Sequence, residues 1–331
     1  MKRVARLVLG ASALLALVGV GAVALLLHGA GPSLTEPVTV TIDEGARFAE
    51  VARDLHRRGV LAHPLLLTAW ARVTGRDRAV HWGEYLLTTP MSPIELLARL
   101  GGPPDPLHPL TVPEGLTVKE VVQLLAAAGF GSEESFLCLL EDPGFLASTG
   151  LPPEGAEGYL FPDTYTYPLA TPQDRIVRGM IERFHEVFTP ELELHALDRG
   201  LTVHQAVTLA SLVEEEAARP EERPLVAAVF LNRLRRGMPL QSDPTVLYGR
   251  EGHDRTITRA DLSRPTPYNT YTIAGLPPAP IANPGRAALL AAVEPAPVDY
   301  LYFVARGDGT HEFSSTLAAH NAAVARYQLR H

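Results

Sequence analysis

The apolar positions of the chain begin as one unbroken run and then become shorter periodic patterns. Leu7–Leu27 contains no charged residue, and as a helix it would be about 31 Å long, enough to span the hydrocarbon core of a bilayer. Lys2, Arg3 and Arg6 precede it. We therefore predict a transmembrane helix over residues 7–27 after a cytoplasmic tail of residues 1–6. The positive-inside rule then places the rest of the chain outside the cytoplasm.

A cleaved signal peptide is the alternative for this run. Ala22-Val23-Ala24 has the small-x-small form of a cleavage site, but the apolar run continues through Leu27 and is longer than the hydrophobic region of a usual signal peptide. The length favours an anchor. We expect a single-pass protein of the cell (inner) membrane whose remaining domains are extracytoplasmic, in the periplasm where there is one.

A strand–turn–helix pattern follows and is repeated once. Val38–Ile42 alternates as a half-buried strand does, an acid–glycine turn comes next, and Phe48, Val51 and Leu55 recur at helical spacing. The residues that recur 70 positions later are Thr41, Glu44, Gly45, Glu50, Val51, Leu55 and Gly59, which match Thr111, Glu114, Gly115, Glu120, Val121, Leu125 and Gly129. A shared packing solution explains such a repeat as well as a binding role does.

The first copy resembles the LysM module, which binds chains of N-acetylglucosamine. A second helix followed by a strand of standard length is not obvious in it, so plain packing or spacing stays open as its role. Proline and glycine mark linkers at 101–106 and 152–155. The predicted divisions are a LysM-like module over 35–100, a second strand–helix unit over 107–150, and a carboxy-terminal domain over 151–331.

Strands in the amino-terminal units, helical pairs after them, and a return to strand at Tyr300–Val304 predict the fold class. We expect an α+β protein: a transmembrane helix, a small α/β LysM-like module, and a mixed α+β domain rather than a doubly wound sheet. A further helix over Gln173–Val187 has one apolar face and a structural role.

Two consecutive helices are predicted in the carboxy-terminal domain. Thr202 and Gln205 have the spacing of a capping box at the start of the first helix, and Pro220 forces a break after it. The second helix covers roughly Glu221–Arg236 and stops at Gly237, a residue suited to the position after a helix.

The first of these helices ends in three consecutive acids. At about 100° per residue, Glu214 borders the apolar face, whereas Glu215 and Glu216 point away and can pair with Arg219. A carboxyl at the apolar border is partly desolvated, which raises its pKa as a general acid near neutral pH requires. Glu214 is therefore the candidate acid, although runs of glutamate are more often solvated helix faces.

Loops rich in polar and aromatic residues accompany these helices. Glu157 and Asp163 lie in the segment E-G-Y-L-F-P-D-T-Y, which suits a sugar cleft, although either acid can equally cap a helix or pair with an arginine. The segments that follow Gly237 combine amide, hydroxyl and tyrosine side chains with turn-forming residues. Such groups suit a neutral sugar, whose hydroxyls need donors and acceptors and whose ring faces stack on aromatics.

Composition narrows the function classes. The chain of 331 residues has a formal net charge of −8, which becomes −11 outside the membrane because all three charges of the tail are positive, so nucleic acid is not an expected partner. Cys138 is the only cysteine, which excludes an internal disulfide and a thiolate cluster. His185-Glu186 begins a zinc-protease signature, but Thr189 stands where its second histidine belongs. We expect no metal and no cofactor.

Several motifs in the expected order resemble the endolytic murein transglycosylases. They are V-E-x-E at Glu214, the following V-F-L-N-R-L, Q-S-D-P-T-V-x-Y-G, Y-N-T-Y and G-L-P-P-x-P-I-x-N-P-G. The resemblance covers nearly the whole chain, including the amino-terminal anchor. It implies that residues 151–331 are a transglycosylase domain that cuts peptidoglycan between N-acetylmuramic acid and N-acetylglucosamine without water, leaves a 1,6-anhydro end, and so terminates strand growth.

The resemblance also implies roles for individual residues. Glu214 matches the catalytic acid of the family. The residues that match cleft motifs, with lesser implied roles in substrate binding, are Glu157, Asp163, Gln241, Asp243, Asn269 and Tyr271. The implied partners are peptidoglycan glycan strands and the inner-membrane peptidoglycan synthases.

Two other functions stay open from the residues. One is a membrane-anchored peptidoglycan hydrolase that uses water and a second carboxylate such as Glu157 or Asp163. The other is a non-catalytic scaffold that binds glycan and in which Glu214 is only structural. The products distinguish them, because anhydro ends indicate the transglycosylase and reducing ends the hydrolase.

Overall fold

The computed structural model describes residues 17–34, 36–169, 171–249 and 257–328. The chain divides into two compact units, one of residues 1–108 with 168–171 and one of residues 109–167 with 172–331. The strand–helix unit predicted over 107–150 therefore falls almost wholly in the same compact unit as the carboxy-terminal residues. Helix and strand are mixed in both units, as the predicted α+β class requires.

The first unit has the order strand, helix, helix, strand, helix. Its elements are β1 (Val38–Ile42), α1 (Phe48–Arg57), α2 (Pro64–Val73), β2 (Gly83–Leu87) and α3 (Pro93–Leu100). The two strands are antiparallel, with Val38 opposite Leu87 and Ile42 opposite Gly83. The predicted strand and first helix are confirmed, and the second helix-then-strand that the sequence left unclear is α2 followed by β2.

Tyr85 on β2 shows how this unit is held together. Its ring is fully buried, and its hydroxyl donates to the carbonyl oxygens of His81 at 3.0 Å and Leu100 at 3.1 Å. A buried phenol needs such acceptors because an unpaired polar group inside a core is costly. The strand is thereby tied to the end of α3.

The predicted membrane anchor is covered only in part. Residues 17–28 are helical, whereas residues 1–16 lie outside the described residues. In the ranges that the structure describes, no helix has both the length and the apolar character needed to cross a bilayer.

The second unit is mainly helical. Its elements are β3 (Leu107–Thr111), α4 (Val118–Ala127), α5 (Glu133–Glu141), α6 (Pro143–Ser148), β4 (Thr164–Pro168), α7 (Gln173–Val187), α8 (Pro190–Asp198), α9 (Val203–Glu216), α10 (Arg223–Arg235), α11 (Pro244–Leu247), α12 (Arg259–Leu262), α13 (Arg286–Val293), β5 (Tyr302–Ala305), β6 (His311–Ser314) and α14 (Leu317–Tyr327). β3 pairs with β4, and β5 with β6. The α7 prediction is confirmed at both ends, and β5 begins two residues later than predicted.

Helix α9 is the centre of the second unit. The Thr202 hydroxyl accepts the N–H of Gln205 and the Gln205 side chain returns to the N–H of Thr202, so the predicted capping box is confirmed. Every residue from 206 to 213 is buried, against α10, α13 and their neighbours. The helix therefore has no solvent face over these residues. Its acidic end, residues 214–216, lies at the edge of the core and contacts loops.

Helix α10 starts slightly later than predicted. A short 3₁₀ turn covers Pro220–Glu222, the α-helix runs from Arg223 to Arg235, and Gly237 adopts φ +65°. That left-handed conformation ends the helix at low cost because glycine has no Cβ. The chain between α9 and α10 is consequently short, and Arg223 returns to the acidic end of α9.

Candidate active site

Glu214 lies in the last turn of α9 with its carboxyl inside the protein. The side chain is 6% exposed. Oε1 accepts a hydrogen bond from Nη2 of Arg223 at 2.5 Å, and Oε2 accepts one from the backbone N–H of Gly285 at 2.9 Å. Burial is the largest influence and raises its pKa, while the Gly285 N–H and the Arg223 charge oppose that rise. The side chain is thus held in one orientation with a pKa moved toward that of a working general acid.

Arg223 donates hydrogen bonds to two carboxylates. The same Nη2 that contacts Glu214 also donates to Oε2 of Glu114 at 3.1 Å. The Arg223 side chain is 10% exposed, and its Nε is buried with no hydrogen-bond partner in the described part of the chain. Glu114 comes from the loop between β3 and α4 and is half-exposed. One buried guanidinium therefore lies between a buried acid and a more solvated one.

Gly285 makes this arrangement possible by having no side chain. It begins α13 with φ −77°, a conformation that any residue adopts. A Cβ built there would lie 1.9 Å from Oε1 of Glu114. A side chain at this position would displace the carboxyl of Glu114, so glycine leaves space for that carboxyl and is not required by the backbone conformation.

Asn283 joins the segments that carry these residues. Its side chain is fully buried, Oδ1 accepts the N–H groups of Gly158 at 3.1 Å and Leu160 at 2.9 Å, and Nδ2 donates to the carbonyl of Leu116 at 2.7 Å. Its backbone carbonyl also accepts the N–H of Gly115 at 3.0 Å. A single amide thereby fixes the loop before α4, the 157–160 segment and the loop before α13 to one another.

Glu157, a predicted cleft residue, is bonded to protein groups at both oxygens. Oε1 accepts the N–H of Val118 at 3.0 Å, at the start of α4, and Oε2 accepts the hydroxyl of Tyr248 at 3.0 Å. Burial raises its pKa to about 7. These contacts favour a role in bracing the loops behind the site. A contact with substrate stays a prediction.

Asp163 takes the arginine-pairing role that the sequence left open. Its Oδ2 lies 2.8 Å from Nε of Arg183 on α7, and its backbone carbonyl accepts the N–H of Val112. The hydrogen bond from Arg183 lowers its pKa. No hydrogen bond links it to the Glu214 group among the described residues, so its predicted place in the cleft remains untested.

Glu216 does not point to solvent as the helical spacing predicted. Its Oε1 accepts the hydroxyl of Ser242 at 2.7 Å, and burial raises its pKa to about 7. The predicted pairing of this acid with Arg219 is wrong: in the described ranges Arg219 instead donates to the carbonyl of Asp308. The expectation from helical spacing was wrong because α9 is surrounded by protein, so its side opposite Glu214 is also an interior surface.

Glu215 is the solvent-facing member of the three acids. The residue as a whole is exposed, yet partial desolvation, followed by the charges of Glu214, Glu120 and Glu216, raises its pKa. The sequence expectation that it points away from the core is confirmed, while the predicted pairing with Arg219 is absent among the described contacts.

Two of the predicted cleft residues contact each other. The hydroxyl of Tyr271 donates to Oδ1 of Asp243 at 2.6 Å, in an exposed position. The N–H of Asp243 is in turn a donor to Glu216. This pair connects Glu216 to the surface, and its contact with substrate stays a prediction.

The remaining two predicted residues shape loops. Gln241 has φ +53°, unusual for a residue other than glycine, and its Oε1 accepts from Arg233 at 3.3 Å. Asn269 is buried, and its amide donates to three backbone carbonyls. The acceptors are those of Asp261, Leu262 and Arg264. These contacts assign both side chains to holding the loops, and direct substrate contact stays a prediction.

A cavity opens beside the acidic end of α9. Its volume is about 300 Å³, and its polar wall includes Glu120, Glu215, Asp243 and Tyr248. A larger cavity of about 850 Å³ lies at the opposite end of α9, around Thr202 and its neighbours. We place the candidate active site at the smaller cavity because Glu215 and Gly115, the chain neighbours of Glu214 and Glu114, line it, whereas the larger cavity is lined by residues from the first half of α9.

The Glu214 cluster combines a proton-transfer group with a positive charge. No group of three or more histidine, cysteine, aspartate or glutamate side chains in the described ranges is arranged to hold a metal ion. The arrangement suits protonation of a leaving oxygen by Glu214, with Arg223 and the Gly285 N–H stabilising the carboxylate that results.

Sequence reasoning singled out Glu214 as the candidate acid but did not predict the groups around it. Glu114 was noticed only as a repeated residue, and Asn283 and Gly285 only as letters of a motif. Arg223 carried no signal, because an arginine at the start of an apolar helix is common. Glu214 and Arg223 are nine positions apart in sequence, and only the turn between α9 and α10 brings them into contact.

Comparison with known proteins places the chain in a family. The sequence model of the YceG-like family matches residues 40–326. The endolytic murein transglycosylase of Bacillus subtilis is 32% identical over 92% of this chain and 91% of that protein. The endolytic murein transglycosylase of Streptococcus pneumoniae serotype 2 is 33% identical over 81% of this chain and 54% of that protein.

A solved structure agrees with these sequence matches. The crystal structure of a YceG-like protein from Listeria monocytogenes is 30% identical, with a TM-score of 0.60, and the match covers 87% of this chain and 99% of that one. The chain therefore belongs to the YceG-like family. The resemblance identified from the motifs is confirmed.

Proposed function

We propose that this protein is an endolytic murein transglycosylase, a lyase that cleaves the glycan strands of peptidoglycan internally. The observation that carries the proposal is the setting of Glu214, which is 6% exposed, is held at both oxygens and has a raised pKa. The relatives named for this activity match nearly the whole chain, and the match includes the segment that bears this acid.

The reaction needs one acid that acts twice. Protonated Glu214 gives its proton to the glycosidic oxygen as the C1–O bond breaks between N-acetylmuramic acid and N-acetylglucosamine. The resulting carboxylate then takes the proton of the C6 hydroxyl of the muramic sugar while that oxygen bonds to C1. The product is a 1,6-anhydro end, and Glu214 regains its proton.

A second catalytic carboxylate is unnecessary in this scheme because the nucleophile belongs to the substrate. The contacts of the alternative candidates support this reading. Glu157 accepts from Val118 and Tyr248, and Asp163 pairs with Arg183. A hydrolase would need one of these acids to activate water near Glu214, and neither is hydrogen-bonded to Glu214 or Arg223 in the described contacts.

The first unit is proposed as a LysM-like glycan contact. Its antiparallel strands enclose two helices, and a cavity of about 410 Å³ lies between the β1–α1 turn and the α2–β2 connection. Trp82, 64% exposed, borders this cavity and offers a ring face for stacking on a sugar. We expect Trp82→Ala to weaken sedimentation of the full chain with insoluble peptidoglycan. Unchanged sedimentation would leave spacing as the role of the unit.

The membrane anchor and the synthase partners are also proposals. The charge-free run of residues 7–27 supports the anchor, and the activity on nascent strands supports a place beside the enzymes that polymerise them. Such an enzyme would act at the outer face of the cell membrane and end strand growth there.

The test is product analysis with the full chain in detergent micelles. Wild type and Glu214→Gln are incubated with uncross-linked glycan strands, and products are weighed by mass spectrometry. We expect products one water lighter than hydrolysis gives, and a loss of activity of about 10²-fold to 10⁴-fold in the variant.

Glu221→Gln is the matched control, since it removes the same charge from an exposed position close in sequence. It should behave as wild type. Reducing ends in place of anhydro ends would indicate the hydrolase. Binding without cleavage by either protein would indicate the scaffold.

A further inference from the structure

One guanidinium nitrogen stands between two carboxylates at this site. Nη2 of Arg223 lies 2.5 Å from Oε1 of Glu214 and 3.1 Å from Oε2 of Glu114. We propose that Arg223 and Glu114 are positioning residues for the lyase reaction: Arg223 pairs with Glu214 while that acid is ionised and shifts to Glu114 while Glu214 carries the proton. The inference rests on the proposed function and adds two residues to it.

The hydrogen bonds of Glu214 favour such a shift. In the observed arrangement both of its oxygens accept, one from Arg223 and one from the Gly285 N–H. A proton on Oε1 removes the negative charge that Arg223 pairs with and uses one of the lone pairs of that oxygen. The protonated acid that begins the reaction therefore holds Arg223 more weakly than the carboxylate does, and an ionised acceptor nearby is favoured in its place.

Glu114 is placed to be that acceptor. It already receives a bond from the same nitrogen, so a small rotation of the guanidinium suffices. Its carboxyl is seated in the space left by Gly285, where a Cβ would come within 1.9 Å of it. The half-exposed Glu114 also stays hydrated when Arg223 leaves it, which keeps the cost of the return low.

The exchange follows the two proton transfers. When Glu214 gives its proton to the glycosidic oxygen, the new carboxylate draws Arg223 toward Oε1. When the carboxylate takes the proton of the C6 hydroxyl, Arg223 returns to Glu114. Each charge that appears on Glu214 thus meets a cation already present, and no charged group has to enter from solvent.

Other charges near Glu214 come from several elements. On α9 itself Glu215 and Glu216 follow it. The loop before α4 supplies Glu114, α4 supplies Glu120 next to Glu215, α10 supplies Arg223, and α13 begins with the exposed Arg286. Among these, Arg223 and Glu114 are the charges bonded within the Glu214 cluster, so they should govern its titration most directly.

The sign of the effect follows from the charges. Glu214 must be protonated to start the reaction, so kcat/KM falls as pH rises through the pKa of Glu214. The Glu114 charge raises that pKa, and the Arg223 charge lowers it. Removing the Glu114 charge leaves Arg223 wholly on Glu214, so the alkaline limb of the pH profile should move to lower pH.

The experiment is the pH profile of kcat/KM for the full chain with uncross-linked glycan strands, with anhydro ends as the readout. We expect Glu114→Gln to shift the alkaline limb down by about one pH unit. Above the limb that shift is a loss of about tenfold, while the plateau on the acidic side changes little. Circular dichroism of each variant establishes that it is folded.

Gly285→Ala tests the pairing of Arg223 with Glu114 in a second way. The methyl group should displace the carboxyl of Glu114 but keep the N–H that Glu214 accepts, so its limb should shift in the same direction. Glu221→Gln controls for charge. Gly102→Ala, whose Cβ would be 3.4 Å from the nearest atom, controls for the glycine change.

A uniform loss at every pH in Glu114→Gln and Gly285→Ala would overturn the proposal, because a merely structural role lowers the whole profile. An unshifted limb in Glu114→Gln would overturn it too. Failure of the proposed function looks different: wild type would then give no anhydro ends, or Glu214→Gln would retain full activity.

Discussion

The two copies of the strand–turn–helix pattern have matching sequences but different surroundings. In the first copy the turn acid, Glu44, is exposed and has no ion pair among the described residues. In the second copy the corresponding Glu114 is bonded to Arg223 and packed on Gly285. The same acid is a surface residue in one copy and part of the candidate active site in the other.

The turn glycines and the helix starts differ in the same way. Gly45 and Gly115 both have positive φ, +79° and +83°, but a Cβ on Gly45 would meet nothing within 4 Å, whereas one on Gly115 would lie 3.1 Å from Oε1 of Glu215. Helix α1 begins at Arg47 without a side-chain cap, while α4 begins with a capping box of Thr117 and Glu120. The repeat therefore specifies a local shape, and its neighbours decide whether that shape does chemistry.

The largest effect is expected from a change at Asn283, which connects the second copy of the pattern to the site. No residue among the described contacts plays this part for the first copy. Asn283→Ala leaves the N–H groups of Gly158 and Leu160 without their partner, while the carbonyl of Leu116 keeps the hydrogen bond from the backbone N–H of residue 283. Each lost partner costs about 1–3 kcal/mol, so we expect the second unit to lose about 2 kcal/mol or more of unfolding free energy.

Urea unfolding followed by circular dichroism measures this loss. Asn321→Ala, on the exposed face of α14, is the control and should change stability by less than about 0.5 kcal/mol. A loss in Asn283→Ala as small as that of the control would mean that the second copy is held by other contacts.

The paired glycine variants test the turns. Gly45→Ala and Gly115→Ala place a Cβ at positive φ, so each should cost about 1–2 kcal/mol of stability. Only Gly115→Ala presses on Glu215, so it alone should also lower transglycosylase activity, by several-fold. Thermal unfolding and anhydro-end formation are the measurements. Equal activity in the two variants would show that the second turn is as passive as the first.

The smallest effect is expected from the helix starts. Thr117→Ala removes a bonded cap and should cost about 1 kcal/mol, whereas Arg47→Ala removes no cap bond and should be close to neutral. Denaturant midpoints of the two variants give the comparison. A loss in Arg47→Ala that matched Thr117→Ala would mean that the first helix depends on its start as much as the second.

Much of the local structure could be predicted from the sequence because its causes are local. Residues 173–187 were predicted as a helix from apolar spacing alone, and Thr202 and Gln205 fixed the start of α9 through bonds within one turn. The family resemblance rests on motifs that are likewise contiguous. The candidate acid could be predicted for the same reason, since Glu214 follows an apolar helical stretch directly.

The partners of that acid could not be predicted from the sequence. Glu216 was predicted to face solvent because a single helix was considered, and the structure buries it because protein covers α9 on that side as well. Asn269 and Glu157 were assigned to the substrate cleft because they match motifs of the family, and that assignment stays a prediction. Their bonds to backbone and tyrosine groups depend on loops that meet only after folding.

The sequence by itself determined the helices and strands, their caps, the family and the position of one candidate acid, because periodicity, capping and motifs act between residues close in the chain. Only the tertiary structure decided what surrounds that acid. Arg223 meets Glu114 across 109 positions of the chain, and Gly285 meets Glu214 across 71. Burial and charge at Glu214 come from these distant groups, so its chemistry is a property of the packed fold.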